Sequence, residues 1–162
     1  MPSLHIRAAT RRDAARIAEL ANALNRFHGM DDVFTREGVE RDGFGPHPAF
    51  SSLLAELDGQ VVAYAMYHDC YNSDLAARGL WLVDLYVEER ARGHGVGRRL
   101  MAALAREALA RGAVSLWWGV HTDNAGARAM YAALGAHDYD YRLLEFERAD
   151  LERLALEPGE PE

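Results

Sequence analysis

The sequence predicts an α/β domain, an α+β mixed sheet flanked by helices, and three features predict it. Strand-like apolar runs flank an Asp58-Gly59 turn, the signature of an antiparallel hairpin. A second strand-like run, Leu80 to Val87, hands over through a glycine-rich loop to a helix-periodic stretch and then to another strand, a unit typical of parallel pairing. The length of 162 residues, with 49% hydrophobic and 27% charged residues, suits one core and one domain spanning 1–162.

Taken in order, Leu4 to Arg7 reads as a first strand. Thr10 or Asp13 can cap a helix whose apolar residues Ala14, Ile17, Leu20, Ala21 and Leu24 recur at helical spacing. Residues 25–50 are polar and carry six Gly or Pro residues, with one short helix expected near 35–42 and a surface segment able to contribute to a site. Ser52 to Leu57 and Val61 to Tyr67 form the hairpin, and Leu80 to Val87 completes a meander. The helix after the loop carries Val96, Leu100, Leu104 and Ala108 on one stripe and should stop at Gly112. Ala113 to Val120 follows as a strand, Thr122-Asp123-Asn124 offers caps for a short helix ending near Gly135, and Tyr141 to Phe146 is expected to be a last strand. The tail 157–162, Glu-Pro-Gly-Glu-Pro-Glu, is expected to fray.

Composition excludes several functions. A formal net charge of -7 argues against nucleic-acid binding, which needs an excess of basic side chains. All 18 basic residues are arginine, so no side chain here can form a Schiff base. Cys70 is the only cysteine, which removes intrachain disulfides and cysteine-built metal clusters and points to a reducing, cytoplasmic setting; no metal site is expected. No apolar run approaches the ~18 residues needed to span a membrane.

The most informative segment is Arg92-Gly93-His94-Gly95-Val96-Gly97, where a strand meets a helix. Glycines at alternate positions permit a tight turn and bare the N–H groups of the helix entrance, an arrangement suited to a pyrophosphate. The phosphate loop of nucleotide hydrolases requires a lysine that is absent, and the dinucleotide fingerprint requires glycine where Arg98 stands. The remaining pattern, Arg92-x-x-Gly95-x-Gly97, resembles the coenzyme A loop of the GNAT N-acetyltransferases. The resemblance extends to Leu85-Tyr86-Val87 before the loop, Asn124 seven residues before Tyr131, and Leu134-Gly135-Ala136. More narrowly, Asp42 to Pro48, Ala63 to Tyr67 and Tyr141-Arg142-Leu143 resemble the diamine (spermidine/spermine) branch.

That resemblance implies acetyl-CoA as the acetyl donor, bound by Leu85, Tyr86, Val87, Arg92, Gly93, His94, Gly95, Val96, Gly97, Arg98, Asn124 and Ala127. It implies direct attack by a primary amine of a small molecule, amino-acid-like or a short diamine, with Tyr131 protonating the leaving thiolate. It also implies a homodimer. The diamine branch has a glutamate at the position of Val83, and valine cannot accept a proton. By strand alternation Asp84 should face away from Val83, which leaves His121, Asp123, His28 or water as the base. Asp31 and Asp32, with Val83, are the substrate-side candidates. Ser73 and Leu75 stand near positions where that branch carries acidic and aromatic residues, which argues against long polyamines. A non-catalytic coenzyme-binding module and a protein or peptide acetyltransferase are the competing functions.

Overall fold

The computed structural model describes residues 3–156, so the expected fraying of 157–162 lies outside the described residues. Strands β1 (Leu4–Ala8), β2 (Ser51–Leu57), β3 (Gln60–Asn72), β4 (Ala77–Val87) and β5 (Ser115–Trp118) form one sheet in sequential order, antiparallel except for the parallel β4–β5 pair. Helices α1 (Ala14–Phe27) and α2 (Arg36–Phe44) cover one face. Helix α3 (Val96–Ala110) covers the other, and α4 (Ala125–Ala133) and α5 (Arg148–Leu154) follow β5.

Each face of the sheet has its own apolar core. The α3 stripe of Val96, Leu100, Leu104 and Ala108 packs on Ala63, Ala65, Tyr67, Leu80 and Leu82. Ile17, Leu20 and Ala21 of α1 and Val39 of α2 pack on Leu54, Tyr64 and Met66. Alternation along β3 produces this division, because residues two apart share a face. Asp58 and Gly59 adopt φ of 51° and 78° and close the β2–β3 hairpin tightly. Arg7 donates to both carboxylate oxygens of Asp13 at 2.8 Å, while Asp13 Oδ2 accepts the Thr10 backbone N–H at 2.7 Å, so β1 is tied to the entrance of α1.

Gly112 stops α3 with φ 72° and Gly135 follows α4 with φ 86°, as the sequence predicts. The expected strand over Tyr141–Phe146 does not form. This stretch pairs with no strand, and Tyr141, Leu143 and Leu144 are 82%, 87% and 88% exposed. It is rich in apolar residues, but β5 ends at Trp118 and the chain turns away into α4, leaving the stretch no ladder among the described residues. The three tryptophans are half-buried: Trp118 packs against the α3-side core, and Trp81 pairs with Trp117 across β4–β5.

Candidate active site

The site is built where β4 and β5 part. Their parallel pairing covers only Gly79–Leu82 against Ser115–Trp118, so β4 from Val83 to Val87 has no strand on its β5 side. This free edge delivers backbone groups into a cleft between β4 and the residues after Trp118, which end at Asn124. Part of that edge is occupied, since Arg92 Nε donates to the Val87 carbonyl at 3.1 Å.

A β-bulge lies at the start of the divergence. Met66 pairs with Asp84 and Tyr67 with Leu82, which leaves Val83 as the extra residue. Leu82 belongs to the α3-side core, yet Asp84 reaches Tyr64 on the opposite face. The bulge therefore resets the alternation and puts Asp84 on the α1 face, which unbroken alternation from Leu82 would have given to Val83. The regular alternation expected between Val83 and Asp84 is interrupted by this bulge. Val83 itself is 44% exposed.

Beyond β4, Gly93 and Gly95 adopt φ of 78° and 75°, and a Cβ at either would meet nothing within 4 Å, so the loop is open above its glycines. Gly95 is the N-cap of α3, with no side-chain cap and no acidic residue in the first turn. Among the described residues, the backbone N–H groups from Gly93 to Arg98 find no acceptor within the chain. Open space, bare N–H groups and the positive end of α3 together fit a pyrophosphate. Val96 is buried and anchors the loop to the core, while His94 Nδ1 lies 3.0 Å from the Arg92 carbonyl. Arg98 is exposed at the helix start. Gly97 serves packing instead, because a Cβ there would lie 3.0 Å from Met130 Sδ, and its absence lets α3 and α4 approach.

Helix α4 supplies the other wall. The Asn124 side chain caps it by accepting the Ala127 N–H at 3.1 Å, which leaves the Asn124 amide as a donor toward the cleft. Tyr131 stands two turns on, its ring centroid 5.0 Å from that of Trp118. Burial pushes its phenol above the ordinary tyrosine value, so it is a proton donor across the neutral range. Leu85 packs toward the α3-side core and Tyr86 toward the α1-side core.

The end of α1 joins the arms of the cleft. The Arg92 guanidinium lies 5.5 Å from the Phe27 ring and 5.9 Å from that of Tyr86. The next residue after Phe27, His28, stacks on His121 from beyond β5, with centroids 4.2 Å apart. Asp84 Oδ2 accepts the Tyr64 hydroxyl proton at 2.9 Å. Burial raises the Asp84 carboxyl above the usual carboxylate range, opposed by that bond and by His28. Burial and His121 lower His28, opposed by Asp123 and Asp84. Of the acidic pair expected to draw a cation, Asp32 is paired with Arg26 and Asp31 is exposed. Cys70 is partly exposed, with a thiol raised by burial, and is no activated nucleophile.

Of the residues the resemblance singles out, Leu85, Tyr86 and Val87 lie on the stretch of β4 that has no β5 partner, and Asn124, Ala127 and Tyr131 lie at the cap and along the body of α4. Sequence reasoning missed the Tyr64–Asp84 pair and the meeting of His28 with His121. Both join segments distant in the chain, and no local signal marks the bulge that turns Asp84 toward them.

The chain belongs to the acetyltransferase (GNAT) family, whose model matches residues 15–136. Members of this family use acetyl-CoA, and this chain is an acetyl-CoA-dependent N-acetyltransferase. It is 32% identical to the thialysine N-epsilon-acetyltransferase of Bos taurus over 148 residues, 85% of this chain and 86% of that protein. It is 30% identical to the spermidine/spermine N(1)-acetyltransferase-like protein 1 of Homo sapiens, across 87% of this chain but 21% of the human protein. An integron cassette protein of V. cholerae shares the fold with a TM-score of 0.80 at 23% identity, covering 95% of this chain and 98% of that one. An aminoglycoside N-acetyltransferase solved with coenzyme A gives a TM-score of 0.73 at 18% identity, covering 91% and 97%. No described helix is long and apolar enough to cross a membrane.

Proposed function

We propose that the acceptor is the primary amine of a short diamine or an amino-acid-like molecule, and that the protein works in the cytoplasm as a homodimer. The observation that carries the acceptor reading is the acid distribution of the cleft. Val83 contributes no charge at the bulge, Asp32 is held by Arg26, and Asp84 is a single carboxylate on the α1 face. Asp84, joined only by Asp123 near His28, suits one short cationic chain better than a long polycation with several charges. The thialysine N-epsilon-acetyltransferases, matched over most of both chains, act on an amino-acid-like amine by name.

In this reading the N–H groups of Gly93 to Arg98 hold the pyrophosphate, and the free edge of β4 from Val83 to Val87 aligns the pantetheine arm. Asn124 and Ala127 close the opposite wall. A backbone N–H of that edge polarises the thioester carbonyl, the amine nitrogen bonds to the carbonyl carbon, and the carbon–sulfur bond breaks. Tyr131 gives its proton to the departing thiolate. No covalent enzyme intermediate is required.

Support for the homodimer comes from two unpartnered features of one chain, the exposed apolar stretch Tyr139–Phe146 and the outer edge of β5, on which no described strand lies. A second copy of the chain can supply each to the other. Light scattering giving a monomer at micromolar concentration would remove the dimer. The acceptor is tested by thiol release from acetyl-CoA over a panel of short diamines, lysine analogues, spermidine, spermine and peptides. Short amines are expected to exceed spermine in kcat/KM by at least about tenfold, equivalent to ~1.4 kcal/mol. Equal efficiency on spermine, or preference for peptides, would overturn the reading.

A further inference from the structure

We propose that His28 is the general base of the transfer, with Asp84 anchoring the incoming ammonium and the stacked His121 ring disfavouring a lasting charge on the base. This rests on the acetyl-transfer reading above and concerns the step that Val83 leaves without an acceptor.

The geometry brings together groups from three segments of the chain. Asp84 is carried onto the α1 face by the bulge at Val83 and sits at the point where β4 loses β5. Its Oδ2 is taken by the Tyr64 hydroxyl, while Oδ1 makes no hydrogen bond within the described residues and is not sealed from solvent. A half-buried carboxylate with one free oxygen open to a cleft is a natural partner for an ammonium. Tyr64 is fully buried and its burial, with the nearby Asp84 charge, raises its phenol well above the ordinary value, so it remains a donor that fixes Asp84.

His28 lies at the end of α1, half-buried, within electrostatic reach of Asp84. The ionisable groups facing it are Asp84 from β4 and His121 and Asp123 from the segment after β5. The stacked His121 ring, 4.2 Å away and exposed, discourages a second positive charge. An imidazole kept neutral at pH 7 is ready to take a proton, and once charged it is repelled by any charge on its neighbour. A primary ammonium with a pKa near ~10.4 must lose a proton before its nitrogen can attack.

The proton balance closes. The ammonium loses one proton to His28, which is partly exposed and returns it to water. The neutral nitrogen forms the new bond to the carbonyl carbon as the carbon–sulfur bond breaks. The nitrogen then loses a second proton, equivalent to the one that Tyr131 gives to sulfur and recovers through solvent. The net release is one proton per acetyl group moved.

The test is the pH dependence of kcat/KM for a short diamine in the wild type and in His28→Gln, His121→Asn and Asp84→Asn. The wild type should show an acidic limb below the ordinary histidine value of about 6.5. His28→Gln should lose ~10²-fold or more and should lose that limb. His121→Asn, a change at an exposed site that keeps the fold, should move the limb to higher pH by removing the repelling ring. Asp84→Asn should move it to lower pH and raise KM. A residue that only packs would scale the whole profile without moving a limb. NMR titration of the His28 ring supplies a readout independent of turnover, expected to shift up in His121→Asn and down in Asp84→Asn. His28→Gln within threefold of an active wild type, with its limb in place, overturns the base. A His28 titration unmoved by either substitution overturns the cluster whatever the activity. A wild type that binds acetyl-CoA but turns over no amine overturns the transfer reading itself, and the base with it.

Discussion

Replacing Tyr131 by phenylalanine removes one hydroxyl and keeps the ring against Trp118. The hydroxyl makes no hydrogen bond to any described residue, and the ring centroid sits 5.0 Å from that of Trp118, a packing contact that phenylalanine preserves. The expected stability change is therefore within about 0.5 kcal/mol, or one to two degrees of Tm for a domain of this size. Turnover should respond differently. General acid catalysis contributes ~10²-fold to 10⁴-fold, but a thiolate whose parent thiol has a pKa near ~8.5 is a tolerable leaving group that water can protonate. The loss in kcat is expected to be at least about tenfold, or ~1.4 kcal/mol of barrier. Because burial lifts the phenol above its ordinary value, the wild type should keep its acid into the alkaline range. The variant should show a weaker alkaline limb. The assay is thiol release at saturating acetyl-CoA from neutral to strongly alkaline pH, with calorimetric affinity for acetyl-CoA and melting curves on both proteins. Full kcat with an unaltered pH profile would show that Tyr131 only packs, and the proton for sulfur would then come from elsewhere.

Three further outcomes are expected. Gly95→Val forces a β-branched residue to φ 75° and fills the open space above the loop, so affinity for acetyl-CoA should fall at least about tenfold, and an unchanged Kd in calorimetry would put the pyrophosphate elsewhere. Asp13→Asn should cost ~1–2 kcal/mol at neutral pH, discounted for partial exposure. The Arg7 guanidinium lowers Asp13 from 3.8 to about 2, so the wild-type advantage is present above 3.8 and lost as pH falls through about 2. Urea melts that stay equally separated at both ends of that range would refute the pairing. Asp84→Asn should raise Tm at pH 7. Burial raises the Asp84 carboxyl, so its ionisation destabilises the fold as pH rises from the unfolded value through the folded one, and the gain should vanish below pH ~4. A variant less stable than the wild type at pH 7 would show that Tyr64 more than offsets the burial of that charge.

Local chemistry in the sequence was enough for β1, the β2–β3 hairpin, α1, α3 and their glycine stops, because turn residues and apolar periodicity act within a few positions. The coenzyme loop was legible for the same reason: glycines that need positive φ must lie in the turn itself. The strand expected at Tyr141–Phe146 does not form because aromatic and apolar content records a capacity to pair and does not supply the neighbouring strand. The face that Asp84 takes was not legible because period-two alternation is local, whereas the bulge arises from how β3 and β4 settle over two cores at once. His28 and His121, far apart in the chain, meet only after α1 packs on the sheet and β5 ends early. The sequence by itself determined the fold class and the family, and placed the positive-φ glycines in the turn before α3. Tertiary structure alone brought Asp84 to Tyr64 and His28 to His121, because such meetings are a property of the packed sheet and helices, not of any residue's neighbours along the chain.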